Sequence, residues 1–187
     1  MVIELPPKYK SLRQTVTSKG KICMKESTVK IVIKQLLRMA HIMHEYNIKH
    51  GNLTLDNVLL RGKNIFLTSF EGSTINKGSQ LKHARVEMGY NSDDAEEDKA
   101  IVLNISDSIN CPVLLDLSSD IADIGEIAVT LLTDVREDTE SAKSIVSLEG
   151  KVSEKCLQFI QYLTMDNPKM RFTAKLALQH PWFVFIE

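Results

Sequence analysis

A chain of 187 residues with a formal net charge of -1 suits one domain and is long enough to bury a core. Hydrophobic content of 43% and charged content of 25% are those of an ordinary soluble globular protein, and the near-neutral balance gives no basic field for nucleic acid. No apolar run approaches a membrane span, no signal peptide opens the chain, and Cys23, Cys111 and Cys156 form no C-x-x-C pair, so neither zinc nor a disulfide framework is indicated and a reducing compartment, cytoplasmic or nuclear, is expected.

Val2 to Leu5 is a short apolar run that passes into a turn at Pro6-Pro7. Lys10 to Thr17 is expected to be one short helix. Ser27 or Thr28 is the expected cap of a helix running to about Tyr46, with Val29, Val32, Ile33, Leu36, Ala40 and Met43 on one face. Asn47-Ile48-Lys49 leaves it for a loop, His50 to Leu60. Val58-Leu59-Leu60 and Ile65-Phe66-Leu67 flank Arg61-Gly62-Lys63-Asn64 and predict a hairpin. From Ser73 to about Asn110 the periodicity is poor, and an acidic run (Asp93, Asp94, Glu96, Glu97, Asp98) predicts a mobile or disordered loop.

Ser119-Asp120 is the expected cap of a second helix, with Ile121, Ile124, Ala128, Leu131 and Leu132 inward and so few polar positions that it should be deeply buried. The polar stretch from Asp134 to Gly150 has room for one short helix. Ser153 to about Met165 predicts a third long helix, with Cys156, Phe159, Ile160 and Leu163 inward, stopped by Asp166-Asn167-Pro168. Thr173 caps a last helix, Ala174 to Gln179, and His180-Pro181-Trp182-Phe183 follows as an aromatic plug. The expected class is mainly α with one small hairpin.

Four blocks stand in order: His50 to Leu60, Thr68 to Gly72, Ser119 to Gly125, and Arg171 to Phe183. The first has the spacing of the H-R-D-L-x-x-x-N loop of phosphate-transferring enzymes, with Gly51 for the arginine and Asn52 for the aspartate. Ser119-Asp120-Ile121-Ala122-Asp123-Ile124-Gly125 resembles S-D-x-W-S-x-G, and Arg171 to Phe183 resembles R-x-T-A-x-x-A-L-x-H-P-W-F. Together the blocks resemble the large C-terminal lobe of a eukaryotic Ser/Thr protein kinase. The resemblance implies a helical bundle around a buried central helix, with the hairpin carrying the catalytic-loop equivalent. It covers residues 1–187 as a C-lobe only, with 73–110 as the activation segment. Met1 to Leu5 resembles the strand entering the hinge, so the Gly-rich loop and lysine strand of the small lobe are expected to be missing.

The resemblance also gives each loop residue a role to keep or lose. Asn52 stands where an aspartate would take the substrate's proton, and a neutral amide does not; it is expected to bond local backbone instead. Ser69 stands where the D-F-G aspartate would hold magnesium. Glu71, two residues on in extended backbone, could bring a carboxylate to that position, and Asn57 is kept at the second metal position. Gly51 loses the arginine that reads a phosphate on the activation segment, and Thr54 replaces a lysine that steadies the transferred phosphate. Glu4 and Leu59 are the candidate adenine-site residues, weakened by Pro6, which has no N–H to donate. His50 and Phe70 fit an internal stacked column, with His50 a satisfied core histidine. His41 and His44 read as ordinary helix-face residues. Asp120 would cap its helix and tie down the loop backbone. Arg171 would pair with a carboxylate; Val113 stands in the acid's usual place, which leaves Asp116.

Three readings follow. In the first the chain is a pseudokinase lobe that binds or regulates another protein, an active kinase or a chain supplying a small lobe. In the second it is an active Ser/Thr kinase using ATP and Mg²⁺ through Asn57 and Glu71, with its small lobe lying outside these 187 residues. In the third it is a non-functional kinase fragment. No nucleic acid or membrane partner is expected in any of them.

Overall fold

The structure is a computed structural model that describes residues 9–18, 24–62, 64–75, 116–133 and 145–184. The expected strand end at Val2–Leu5, with Glu4 and Pro6, the acidic run at 93–98 and Cys111-Pro112-Val113 lie outside the described residues. In place of a single helix over 10–17, the chain first forms a two-residue strand, β1 (Lys10–Ser11), and then α1 (Leu12–Ser18). So short a strand has no periodicity to read; its partners Leu60 and Leu59 lie far along the chain.

The stripe from Val29 to Met43 folds as α2 (Glu26–Glu45), and every predicted inward residue is buried, with Leu37 and Met39 added. The helix opens at Glu26, ahead of Ser27 and Thr28, and Lys25 at the capping position makes no side-chain bond. The cause is tertiary. The Glu26 carboxylate accepts from the Ser153 N–H (2.7 Å), the Ser153 hydroxyl (2.6 Å) and the Trp182 indole (2.7 Å), which fixes the first turn from outside. At the other end Asn47 turns left-handed (φ 52) and its N–H donates to the His44 carbonyl, a stop that asparagine tolerates.

Past α2, β2 (Ile48–Lys49) pairs antiparallel with β5 (Thr74–Ile75) and brackets the loop between them. The expected hairpin is present as β3 (Val58–Arg61) and β4 (Asn64–Leu67), and β1 adds a third strand in the order β1-β3-β4. Arg61 opposes Asn64, so the turn is two residues, and Gly62 supplies the positive φ (64°) that such a turn needs.

The second helix is α3 (Ser118–Leu132), with Ile121, Ile124, Ala128, Leu131 and Leu132 all buried as predicted. It packs between α2 and α4 (Glu154–Leu163). Its cap differs from expectation. Leu117 holds the capping position, Asp116 accepts from the Ser118 N–H, and Asp120 lies inside the helix with its carboxylate pointed elsewhere. At Gly125 an added Cβ would sit 2.6 Å from Thr164 Cγ2 and 3.1 Å from Leu163 Cβ, so α3 and α4 close on that glycine.

Ser153 caps α4, accepting from the Cys156 N–H at 3.2 Å, and Cys156, Phe159, Ile160 and Leu163 face inward. A short 3-10 turn, Ile145–Leu148, precedes it. Thr173 caps α5 (Ala174–Leu178) by accepting from the Leu176 N–H. The plug is α6 (Pro181–Val184): Phe159 lies 4.8 Å from Trp182 and 5.1 Å from Phe183 between ring centroids. Such large side chains, fully buried, each contribute about 1.5–3 kcal/mol. Burial, then the Glu26 charge, push the Cys156 thiol up to about 12, so it serves as core and not as a nucleophile. No helix among the described residues is long and apolar enough to cross a membrane.

Candidate functional site

The loop from His50 to Asn57 is held by groups distant in sequence. Asp120 Oδ2 accepts from the His50 N–H and Oδ1 from the Gly51 N–H, both at 2.9 Å. His44 Nε2 lies 3.1 Å from the same Oδ2. Asp120 is fully buried, which pushes its carboxyl up. Its bonds with His44, Gly51 and His50, and the charge of His44, outweigh this and hold it below the usual carboxylate range. One buried carboxylate thus joins α2, the loop and α3.

The His50 ring is also fully buried, 4.7 Å from the Phe70 ring, so the expected stack is there. Its Nδ1 accepts from the Asn52 N–H at 3.3 Å. Its Nε2 has no hydrogen-bond partner among the described residues, so the ring is not the fully satisfied core histidine expected. Burial lowers its pKa, more than the Asp120 charge and the nearby Thr68 carbonyl raise it, and the ring stays neutral.

Gly51 takes φ +74, and an added Cβ would meet the Gly72 carbonyl oxygen at 2.6 Å. Two backbones therefore touch where the motif's arginine would stand. Ser73 completes the contact, its hydroxyl donating to the His50 carbonyl at 3.0 Å.

Asn57 closes the loop from below. Its side-chain Nδ2 donates to the Asn52 carbonyl (2.9 Å), its N–H donates to the Thr54 carbonyl (3.1 Å), and its own carbonyl accepts from the Thr68 N–H and hydroxyl. The Asn52 side chain is exposed and makes no hydrogen bond among the described residues, so the local bonding expected of it belongs to its backbone. Ser69 is left-handed (φ 63) and Phe70–Gly72 form a 3-10 turn. The extended backbone that would bring Glu71 beside Ser69 is therefore not the one adopted; the Glu71 side chain lies outside the described part of the structure. Asn57 donates through its nitrogen and can still offer its amide oxygen, but that oxygen and the Ser69 hydroxyl are both neutral, a poor set for Mg²⁺, which wants charged oxygens in tight octahedral geometry.

Leu59 is buried in β3, opposite Ser11 and Phe66. Arg171 reaches no carboxylate among the described residues. Its Nη1 donates to the Ser118 carbonyl (2.8 Å) and its Nε and Nη2 to the Met165 carbonyl (3.1 and 2.7 Å), while Asp116 turns to Ser118. A guanidinium fork clamping two carbonyls fixes the start of α3 two residues before Asp120.

Two participants escape a reading of the sequence. His44 sits four residues beyond Ala40, on the stripe that carries the buried face; that spacing was the signal. Asp123 stands where the S-D-x-W-S-x-G pattern has serine, an acid facing the loop. Burial, with Asp120 next, pushes its carboxyl up to about 6, against the pull of the Leu53 N–H and Lys49.

With this geometry in view, the known proteins like this chain can be placed beside it. It is 28% identical over 174 residues to a probable myosin light chain kinase of Dictyostelium discoideum, an alignment covering 85% of this chain and 53% of that protein. It is 25% identical over 174 residues to serine/threonine-protein kinase 17A of Oryctolagus cuniculus, covering 84% of this chain and 41% of that one. The chain resembles Ser/Thr protein kinases over most of its length. It spans about half the length of the curated relatives it matches. No family model matches it. The loop that Asp120 anchors is the candidate site.

Proposed function

We propose that the chain is a kinase-like C-lobe that binds or regulates another protein and does not itself transfer phosphate. The observation that carries this is the split within one loop. The backbone of His50 and Gly51 is pinned by Asp120, while the exposed side chain at position 52 is an amide, unable to take a proton from a substrate hydroxyl. The neutral hydroxyl at Ser69, where the motif carries a carboxylate, supports the same reading. With base and metal ligand both replaced, little beyond positioning is left to lower the barrier.

The second reading, an active Ser/Thr kinase, is favoured by the relatives, both of which bear the names of kinases. A thermal-shift titration with ATP, with and without Mg²⁺ or Mn²⁺, separates the two, together with phosphate transfer to a generic basic protein. No metal-dependent shift and no transfer are expected. Transfer that disappears in Asn52→Ala would establish the second reading.

A further inference from the structure

A row of basic side chains lies outside the loop, and its first member, Lys30, also faces the charge of Glu26 one turn earlier. Lys30, Lys34 and Arg38 follow one another at one-turn spacing along α2, and all three are half-buried. Lys30 Nζ lies 5.8 Å from the centroid of the Trp182 ring and Lys34 Nζ 5.9 Å from that of Phe183, so the stems lie against α6. Arg38 continues the row by one turn. Lys34 and Arg38 meet no carboxylate within ion-pair distance among the described residues. Burial, and to a lesser extent the Arg38 charge, lower the Lys34 ammonium below its ordinary value. The same two helices carry exposed apolar side chains, Ile31 at 58% on α2 and Val184 at 67% on α6. Ile31 lies three residues before Lys34 and seven before Arg38, on the same helix face.

We infer that this seam of α2 and α6 docks an acidic segment of a partner protein, with carboxylates spaced about one helical turn apart and an apolar residue covering Ile31 and Val184. The complementarity decides the partner. The whole chain is near neutral, so three cations in a row are a local feature and not a general basic field. Repulsion between like charges one turn apart is relieved by an acidic partner and by no neutral one. From Lys30 to Arg38 the row runs about 12 Å along the helix, the reach of two turns of an acidic helix. The two aromatic rings hold the lysine stems in place before binding, which lowers the ordering cost of association. This deepens the reading of the chain as a protein-binding module and rests on it.

The test is a fluorescence-anisotropy titration of the full chain with a labelled synthetic peptide carrying glutamates at i, i+4 and i+8 and leucines beside them. Saturable binding that weakens with salt is expected. Each charge removed should weaken it about two- to fivefold, and Lys34→Glu with Arg38→Glu should weaken it more than tenfold, whereas Lys169→Glu with Lys175→Glu should not. Lys34 lies over Phe183, so Arg38→Glu alone, checked by circular dichroism, keeps the test valid if the double variant unfolds. The inference is overturned by no binding, by an equal loss in the control pair, by equal binding of a peptide with its leucines changed to glutamine, or by binding only to a chain lacking residues 185–187. Phosphate transfer measured on the same sample reports separately on the inactive reading.

Discussion

Replacing Gly51 by alanine tests the contact that fills the arginine's place. Gly51 has φ +74, and an alanine held in the left-handed region costs about 1–2 kcal/mol. Its Cβ would also lie 2.6 Å from the Gly72 carbonyl oxygen, a backbone atom fixed in the 3-10 turn Phe70–Gly72. Forcing atoms into a filled site adds about 1–3 kcal/mol. The total is roughly 2–5 kcal/mol out of the 5–15 that hold a domain together. Gly62 gives the internal reference: its φ is +64, and nothing lies within 4 Å of its added Cβ, so Gly62→Ala carries only the conformational cost. Urea titrations of the two variants, with unchanged slope, should show Gly51→Ala less stable than Gly62→Ala by about 1–3 kcal/mol. Gly51→Arg should cost at least as much as the alanine. Equal losses at the two glycines would refute the close approach of Gly51 to Gly72.

Asp120→Ala leaves the buried N–H of His50 and the part-buried N–H of Gly51 without their acceptor; at about 1–3 kcal/mol for the first and less for the second, a clear fall in melting temperature is expected, and a fall no larger than that of a surface alanine substitution would sink the anchoring role. Asp123 gives a pH signature. Its folded pKa of about 6 lies above the unfolded value near 4, so both states hold the proton at low pH, and stability is lost as pH rises through that window. Unscreened, the shift is worth about 3 kcal/mol; the group is only half-buried, and screening leaves about 1 kcal/mol. Asp123→Asn should therefore gain about 1 kcal/mol above pH 6 and nothing below about pH 4, as read by melts across that range; a gain that grows on acidification contradicts the assignment. Glu26→Ala strips an acceptor from Ser153 and Trp182 and should cost about 1–3 kcal/mol, with the Trp182 fluorescence shifting as its indole N–H is released; an unchanged spectrum and stability would remove Glu26 from the network.

The helices were legible because their stripes are long. Every inward residue predicted for α2, α3 and α4 is buried, and Ser153 and Thr173 cap as their sequence neighbours suggest. The loop was legible as a frame, through the placing of His50, Phe70 and Asp120. What could not be read is long-range pairing. The two-residue strands β1, β2 and β5 exist only through distant partners. Glu26 displaced the Ser27 or Thr28 cap because of residues far along the chain. Arg171 was assigned a carboxylate, Asp116, because the kinase resemblance implies an acidic partner; among the described residues it clamps two carbonyls instead, and backbone acceptors carry no sequence signature. Asp120 was read as a cap because an aspartate at a helix start usually is one; burial turned its carboxylate to the loop instead.

The Glu26 carboxylate has a consequence for the order in which the molecule assembles. Its bonds close spans of 127 and 156 residues, so the first turn of α2 is secured by groups that are made long after it. Pairing across so long a span is slow to find, because the closure entropy must be overcome before the contact rewards it. During synthesis the Glu26 carboxylate must wait for Ser153 and then for Trp182 before its bonds can close. A chain halted a few residues short of that indole would keep nearly all the described helices and still lack the bond that ties α6 to the start of α2.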